Sequence, residues 1–179
     1  MLYRFWLVLI VAVLRAVAAP AQATVPAVAA IQVECQRIWS SRATYQTRSL
    51  DLGVDAEGTA YYAGESLKLL AVVYYGETGK WETYYYYKQG QLLFALSSDC
   101  RYNRPYYYDK KTARENGDAE AFDAQKSETT KRRYYFQRGQ LIQWLDNAKK
   151  RQPPTAASQQ EDYRELLATE ARVRAELKK

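Results

Sequence analysis

The sequence contains no histidine, one methionine and only two cysteines among its 179 residues. The absence of histidine excludes imidazole-activated nucleophiles, the common zinc and facial-triad metal sites, and an imidazole pH switch. Two cysteines are too few for a four-thiolate site. The motifs of phosphate-binding loops, serine hydrolases and calcium-binding loops are also missing. The sequence therefore predicts no catalytic residue, no metal site and no cofactor.

The first 23 residues have the pattern of a secretory signal peptide. Arg4 supplies a positive charge, Phe5–Leu14 is an unbroken apolar run, and Ala21–Ala23 (Ala-Gln-Ala) is typical of a cleavage site. The apolar run is too short to cross a bilayer of about 30 Å. We expect cleavage after Ala23, a periplasmic or secreted location, and no stable membrane span after cleavage. Cleavage after Ala19 and an uncleaved membrane anchor are the alternatives.

The composition of the chain is that of an ordinary globular protein, except for its tyrosines. Hydrophobic residues make up 47% of the sequence, charged residues 26%, and tyrosine alone accounts for 17 positions. The length favours one domain. Loss of Arg4 and Arg15 with the signal lowers the formal net charge from +6 to +4. A charge this mild does not predict binding to nucleic acid.

The two cysteines, Cys35 and Cys100, both lie beyond the predicted cleavage site. In an oxidising compartment a pair of thiols is usually joined. We therefore predict a disulfide between Cys35 and Cys100, with two buried free cysteines as the alternative.

The fold class predicted for the mature chain is α+β, a meandering antiparallel β-sheet of hairpins flanked by an N-terminal and a C-terminal helix. Ile31, Cys35 and Ile38 recur at helical spacing. The β runs that follow have links too short for crossover helices, which indicates antiparallel pairing. The predicted boundaries are 24–179 for the domain, 27–41 for the first helix, 44–146 for the sheet, 109–130 for a polar mobile insertion and 158–178 for the last helix.

A degenerate repeat predicts two equivalent hairpins. Tyr85–Leu93 aligns without gaps on Tyr134–Ile142, and Tyr61–Leu67 resembles an incomplete third copy. In both full copies glycine, at Gly90 and Gly139, occupies the second position of a two-residue turn that needs a positive φ. This turn predicts six cross-strand pairs: Tyr87 with Leu92, Tyr85 with Phe94, Phe136 with Leu141, Tyr135 with Ile142, Arg133 with Trp144, and Lys131 with Asp146.

The second hairpin is also the predicted ligand surface. In the predicted register Arg133 lies opposite Trp144 with Tyr135 on the same face, so that a guanidinium would lie beside an indole. The candidate binding residues are Arg133, Tyr135, Arg138 and Trp144. The competing interpretation is that Trp144 belongs to the core beneath the C-terminal helix.

The segment Tyr134–Asp146, with Tyr74–Lys80 upstream, resembles a group of small exported bacterial proteins of unassigned function. That group carries Tyr-Tyr-Phe-x-x-Gly-x-Leu hairpins and is similar in style to MORN-type β-hairpin repeats. The resemblance covers roughly 44–146 and implies a hairpin sheet and bacterial export. It implies no catalytic residue.

The predicted function is that of an exported, non-enzymatic binding protein of the bacterial envelope, with an envelope protein or polymer as its partner. Two alternatives stay open. One is an inhibitor of an envelope-targeting enzyme such as lysozyme, and the other is a hydrolase that cleaves envelope polymers through paired carboxylates.

Overall fold

A computed structural model of the chain describes residues 25–152 and 157–178. The predicted signal peptide and its cleavage site lie outside the described residues. The helices and strands are α1 Val25–Ser41, β1 Gln46–Asp51, β2 Ala56–Ala63, β3 Ser66–Gly76, β4 Gly79–Lys88, β5 Gln91–Arg101, α2 Lys110–Glu115, β6 Glu128–Gln137, β7 Gln140–Leu145 and α3 Ala157–Glu176.

The seven strands form one antiparallel sheet in the order of the sequence, from β1 to β7. This confirms the predicted meandering α+β arrangement with a helix at each end. The polar segment 109–130 contains α2, a short 3-10 turn over Ala124–Lys126 and the start of β6. The Asp109 side chain caps α2 by accepting a 2.8 Å hydrogen bond from the Thr112 amide.

Both predicted turns are two-residue turns. Gln89 and Gly90 have φ of 51° and 75°, and Arg138 and Gly139 have φ of 52° and 75°. Positive φ at both central positions matches the twist of a hairpin, which is the property of a type I′ turn. The pairs next to the turns are therefore those that the repeat predicts, Tyr87 with Leu92 and Phe136 with Leu141.

Further from the turns, the predicted register is wrong by one residue in both hairpins. A β-bulge between Tyr86 and Tyr87 leaves one extra residue on β5, and a bulge between Tyr135 and Phe136 does the same on β7. A third bulge occupies the equivalent place in the β2–β3 hairpin, between Tyr61 and Tyr62. The observed pairs are Tyr85 with Ala95, Tyr135 with Gln143, Tyr134 with Trp144, and Arg133 with Leu145, while the Lys131 amide bonds Asn147 rather than pairing with Asp146.

Each terminal helix packs against a different face of the sheet, so that each face carries its own apolar cluster. α1 contributes Ile31, Cys35 and Ile38 to one apolar cluster, which also contains Tyr86 and Tyr135 of the sheet. α3 contributes its apolar side chains to a second cluster on the opposite face, whose buried members are Leu50, Ala60, Leu70, Val72, Tyr85, Tyr87, Ala95, Tyr134, Phe136, Trp144, Leu166 and Val173.

Buried tyrosines fix α3 on its face of the sheet. The Tyr85 hydroxyl donates to the backbone oxygen of Leu166 at 3.1 Å, and the Tyr87 hydroxyl donates to the Glu170 carboxylate at 2.8 Å. At the surface, the Arg172 guanidinium donates to the Tyr74 hydroxyl at 2.6 Å. These tyrosines are packing residues with satisfied hydroxyls, which explains part of the unusual tyrosine content.

Candidate functional site

The face of the sheet beneath α1 is organised in cross-strand rows. The row nearest the hairpin turns pairs Tyr86 with Phe94 and Phe94 with Tyr135, and α1 packs on it. Gln32 of α1 donates a 3.1 Å hydrogen bond to the Tyr135 hydroxyl. At the other end of the helix, Trp39 meets the Tyr84 ring edge to face, with centroids 5.5 Å apart. These contacts hold α1 across the strands at one end of the face.

Beyond α1 the same face forms the floor of an open groove of about 640 Å³, which we call the α1 groove. Its walls come from α1 and from strands β4, β5 and β6. Its lining residues are Gln32, Cys35, Gln36, Trp39, Lys80, Glu82, Tyr84, Tyr86, Phe94, Leu96, Ser98, Cys100, Thr129, Lys131 and Tyr135.

The α1 groove is mainly aromatic and aliphatic near the helix and polar further along the strands. Glu82 is the one carboxylate among the described lining residues, and it accepts a 2.7 Å hydrogen bond from the Tyr84 hydroxyl. Burial, and to a smaller extent this hydrogen bond, raises the pKa of Tyr84 above its usual range. Tyr84 therefore stays a neutral hydrogen-bond donor to Glu82. The pair presents the apolar Tyr84 ring to the groove, and one Glu82 oxygen is already hydrogen-bonded.

Arg133 lies next to the groove floor with an unsatisfied donor. It pairs with Leu96 of β5, which lines the groove, and occupies the β6 position between Lys131 and Tyr135 on the α1 face. Its Nη1 atom is buried and has no hydrogen-bond partner within the described part of the chain. A buried guanidinium nitrogen without an acceptor is unfavourable, because burial removes its hydrogen bonds to water and no protein acceptor replaces them.

A depression of similar size, about 690 Å³, lies in the polar segment around α2. All of its lining residues come from that one segment, between Lys110 and Lys126, and most are charged or small. The α1 groove is built from four separate elements and joins an aromatic floor to polar side chains, a combination that is common in ligand sites. We therefore take the α1 groove as the candidate site.

The four residues predicted as a ligand surface do not come together. Trp144 is 7% exposed and belongs to the α3 cluster, where it stacks on Tyr134 with ring centroids 5.9 Å apart. Tyr135 is buried on the opposite face beneath α1, and Arg138 is exposed in the turn. The bulge on β7 is the physical reason, because it puts Trp144 opposite Tyr134 instead of Arg133. The competing interpretation of Trp144 as core agrees with this placement.

The predicted disulfide is absent, and both cysteines are free. Cys35 packs among residues that include Tyr86, whose partner on β5 is Phe94, and Cys100 lies six residues further along that strand. At about 3.3 Å per residue, six residues span roughly 20 Å, whereas bridged cysteines have Cα atoms within roughly 7 Å of each other. Cys35 belongs to the apolar cluster beneath α1 and Cys100 does not, although both line the α1 groove. Burial raises the pKa of Cys35 to about 12.

Most of the groove residues were not singled out by the sequence. The alternation of Lys80, Glu82, Tyr84 and Tyr86 along β4 would have placed these side chains on one face. Their position beside α1 depends on contacts between distant parts of the chain.

Comparison of the chain with protein-family models, with curated proteins and with solved structures finds no match. Among the described helices, none has the combined length and apolar character needed to cross a lipid bilayer.

Proposed function

We propose that this protein is an exported, non-enzymatic binding protein that holds a small amphipathic molecule in the α1 groove. The observation that carries the proposal is the groove itself, about 640 Å³ in volume and lined by five aromatic side chains, Leu96 and two cysteines together with seven polar side chains. Volumes of roughly 300–1,000 Å³ and linings of this kind are typical of small-molecule sites. Export rests on the signal-peptide pattern of residues 1–23.

The groove chemistry supports binding better than hydrolysis by paired carboxylates. Glycoside hydrolysis uses two carboxyl groups roughly 5–9.5 Å apart, one of which must exchange a proton with the substrate. Among the described lining residues Glu82 is the single carboxylate, and Tyr84 already occupies one of its oxygens.

A second candidate function, inhibition of an envelope-targeting enzyme, is favoured by a group of exposed tyrosines. Tyr75, Tyr106 and Tyr107 are 45%, 60% and 54% exposed. The Tyr106 amide donates to the backbone oxygen of Glu77 at 2.9 Å, which brings this pair to the β3–β4 turn next to Tyr75. Exposed aromatic groups are typical of protein interfaces. Loss of enzyme inhibition in a Tyr106→Ala, Tyr107→Ala double variant with an intact groove would support this candidate.

The proposal is tested with prodan, a neutral naphthalene whose fluorescence increases in apolar surroundings. We expect saturable binding of one prodan per chain. Gln36→Trp, which adds bulk at the groove wall, should weaken binding by at least about tenfold. The matched control is Val33→Trp, which makes the same addition at a position of α1 that is 71% exposed, and it should leave binding within about twofold. Non-saturable binding, or equal effects of both variants, would contradict the proposal.

A further inference from the structure

The charges along the α1 groove are unevenly distributed. In one row Ser98 pairs with Glu82 on β4 and with Lys131 on β6. Glu82 is engaged by the Tyr84 hydroxyl. Lys131 is exposed and forms no ion pair with any residue of the described ranges. The β6 side of the groove therefore carries a cation available to a ligand.

The neighbouring row adds a second cation and an apolar path. Arg133 pairs with Leu96, and Leu96 pairs with Tyr84, against which Trp39 packs. Adjacent strands are about 4.8 Å apart, so the row from Arg133 to Tyr84 spans roughly 10 Å. It begins at a guanidinium whose buried Nη1 has no acceptor among the described residues and ends at two aromatic rings.

We propose that the ligand is a single-chain amphipathic anion, whose carboxylate or equivalent headgroup lies at Lys131 and Arg133. Its apolar chain would cross Leu96 toward Tyr84 and Trp39. This inference rests on the proposed function of the groove. Arg133 is half-buried and lies outside the lining residues, so its guanidinium would turn toward the groove to reach an anionic oxygen, which would supply the acceptor that Nη1 lacks. The planar guanidinium suits a carboxylate with two oxygens. Lys131 would add a second charge-assisted hydrogen bond from the groove side.

The experiment compares displacement of bound prodan by decanoate and by 1-decanol, which share a chain length and differ in charge. In the wild type, decanoate should displace prodan at a concentration at least about tenfold lower than decanol. Arg133→Gln and Lys131→Gln should each weaken decanoate binding several-fold more than they weaken the binding of prodan and of decanol. Arg101→Gln is the matched control, because it removes one charge from β5 at a side chain that is 82% exposed and outside the groove lining. It should leave all three ligands unaffected.

The outcomes separate this inference from the proposed function. If prodan binds and decanoate shows no advantage over decanol, the headgroup site is wrong and the groove proposal stands. If prodan does not bind saturably, the proposed function itself fails. An Arg101→Gln effect equal to that of Lys131→Gln would mean that only net charge matters, which also overturns the inference. Should Arg133→Gln fail to fold by circular dichroism, Lys131→Gln and added NaCl must each still weaken the binding of decanoate more than the binding of decanol.

A vesicle control addresses the source of the anion. A free single-chain anion fits this site, because the groove is bounded by α1 and by strands β4, β5 and β6 and holds about 640 Å³. Phosphatidylglycerol vesicles present a similar charge at a bilayer surface. The protein should stay in the supernatant when such vesicles are sedimented at physiological ionic strength, and co-sedimentation that Lys131→Gln abolishes would overturn this choice of ligand.

Discussion

The Tyr87 hydroxyl donates a 2.8 Å hydrogen bond to the Glu170 carboxylate across 83 positions of sequence, and both groups are buried. The same carboxylate oxygen accepts from the Arg174 guanidinium at 3.3 Å. Burial, and to a smaller extent the Glu170 charge, raises the pKa of Tyr87 above its usual range. The hydroxyl therefore remains protonated and acts as a fixed donor between the sheet and α3.

Removal of this donor should destabilise the fold. Tyr87→Phe leaves Glu170 with one donor fewer in a buried place, and a hydrogen bond to a charged group contributes about 1.5–3 kcal/mol. We expect the free energy of unfolding in urea to fall by about that amount. Tyr75→Phe is the control, since its hydroxyl makes a longer, exposed bond to Glu57, and it should cost less than about 0.5 kcal/mol. Equal costs for the two variants would contradict a structural role of the buried pair.

The stability of the protein should fall at alkaline pH. Burial raises the pKa of Tyr86 to about 12, and it also raises the pKa of Tyr85 and Tyr87. Because the folded state holds these protons more tightly, their contribution is complete below about pH 10, the unfolded value. It is lost as pH rises through the folded values. Each tyrosine adds a slope of about 1.4 kcal/mol per pH unit above pH 10.

This slope is measured by urea unfolding between pH 8 and pH 12. Tyr86→Phe should reduce the slope above pH 10 by up to about 1.4 kcal/mol per pH unit, which is the contribution of one proton. Tyr106→Phe, at an exposed position, is the matched control variant. A free energy of unfolding that stays constant up to pH 12 would show that these hydroxyls ionise without penalty.

Three glycines at hairpin ends should respond differently to alanine. Gly90→Ala meets no atom within 4 Å and has a φ of 75°, so its cost is backbone strain of about 1 kcal/mol. Gly79→Ala would bring Cβ to 2.4 Å from the Cys100 carbonyl oxygen and should cost more, about 2–3 kcal/mol. Gly76→Ala, with its nearest atom at 3.4 Å, should be close to neutral. Thermal unfolding of the three variants gives the order, and a neutral Gly79→Ala would show that β4 and β5 separate easily.

The two cysteines should react at very different rates with a disulfide reagent such as DTNB. The pKa of about 12 for Cys35 leaves about one thiolate in 10,000 at pH 8, and the thiol is buried. Cys100 is only half-buried and should be labelled at least about tenfold faster. Cys35→Ser and Cys100→Ser assign the two phases, and bound prodan should slow the labelling of Cys100. Comparable rates would mean that α1 detaches readily from the sheet.

The elements were predictable because their signals are local. Helical spacing at Ile31, Cys35 and Ile38 placed α1, and Gly90 and Gly139 fixed two-residue turns whose adjacent pairs are those observed. The bulges were not predictable from the same pattern. Leu92-Leu93-Phe94 is apolar at every position, so an inserted residue leaves no break in the alternation.

The candidate site was less predictable than the fold. Its location depends on which face of the sheet each helix covers, and both faces of β4 and β5 are apolar enough for either helix. The predicted platform at Arg133 and Trp144 failed because a one-residue slip moves a side chain to the opposite face. Arg133 itself lies next to the α1 groove because it pairs with Leu96 of β5. This pair joins the two hairpins, and the repeat predicts pairs only within each hairpin.

The separation of the two apolar clusters by a single sheet has a consequence for how such a chain can diversify. The contacts that anchor α3, including Tyr87 with Glu170, lie on one face, and the floor of the α1 groove lies on the other. Substitutions that reshape the floor therefore leave the α3 anchors untouched. Related chains would then exchange one ligand for another while their melting temperatures stay nearly constant. Ligand selectivity and fold stability would evolve independently of each other.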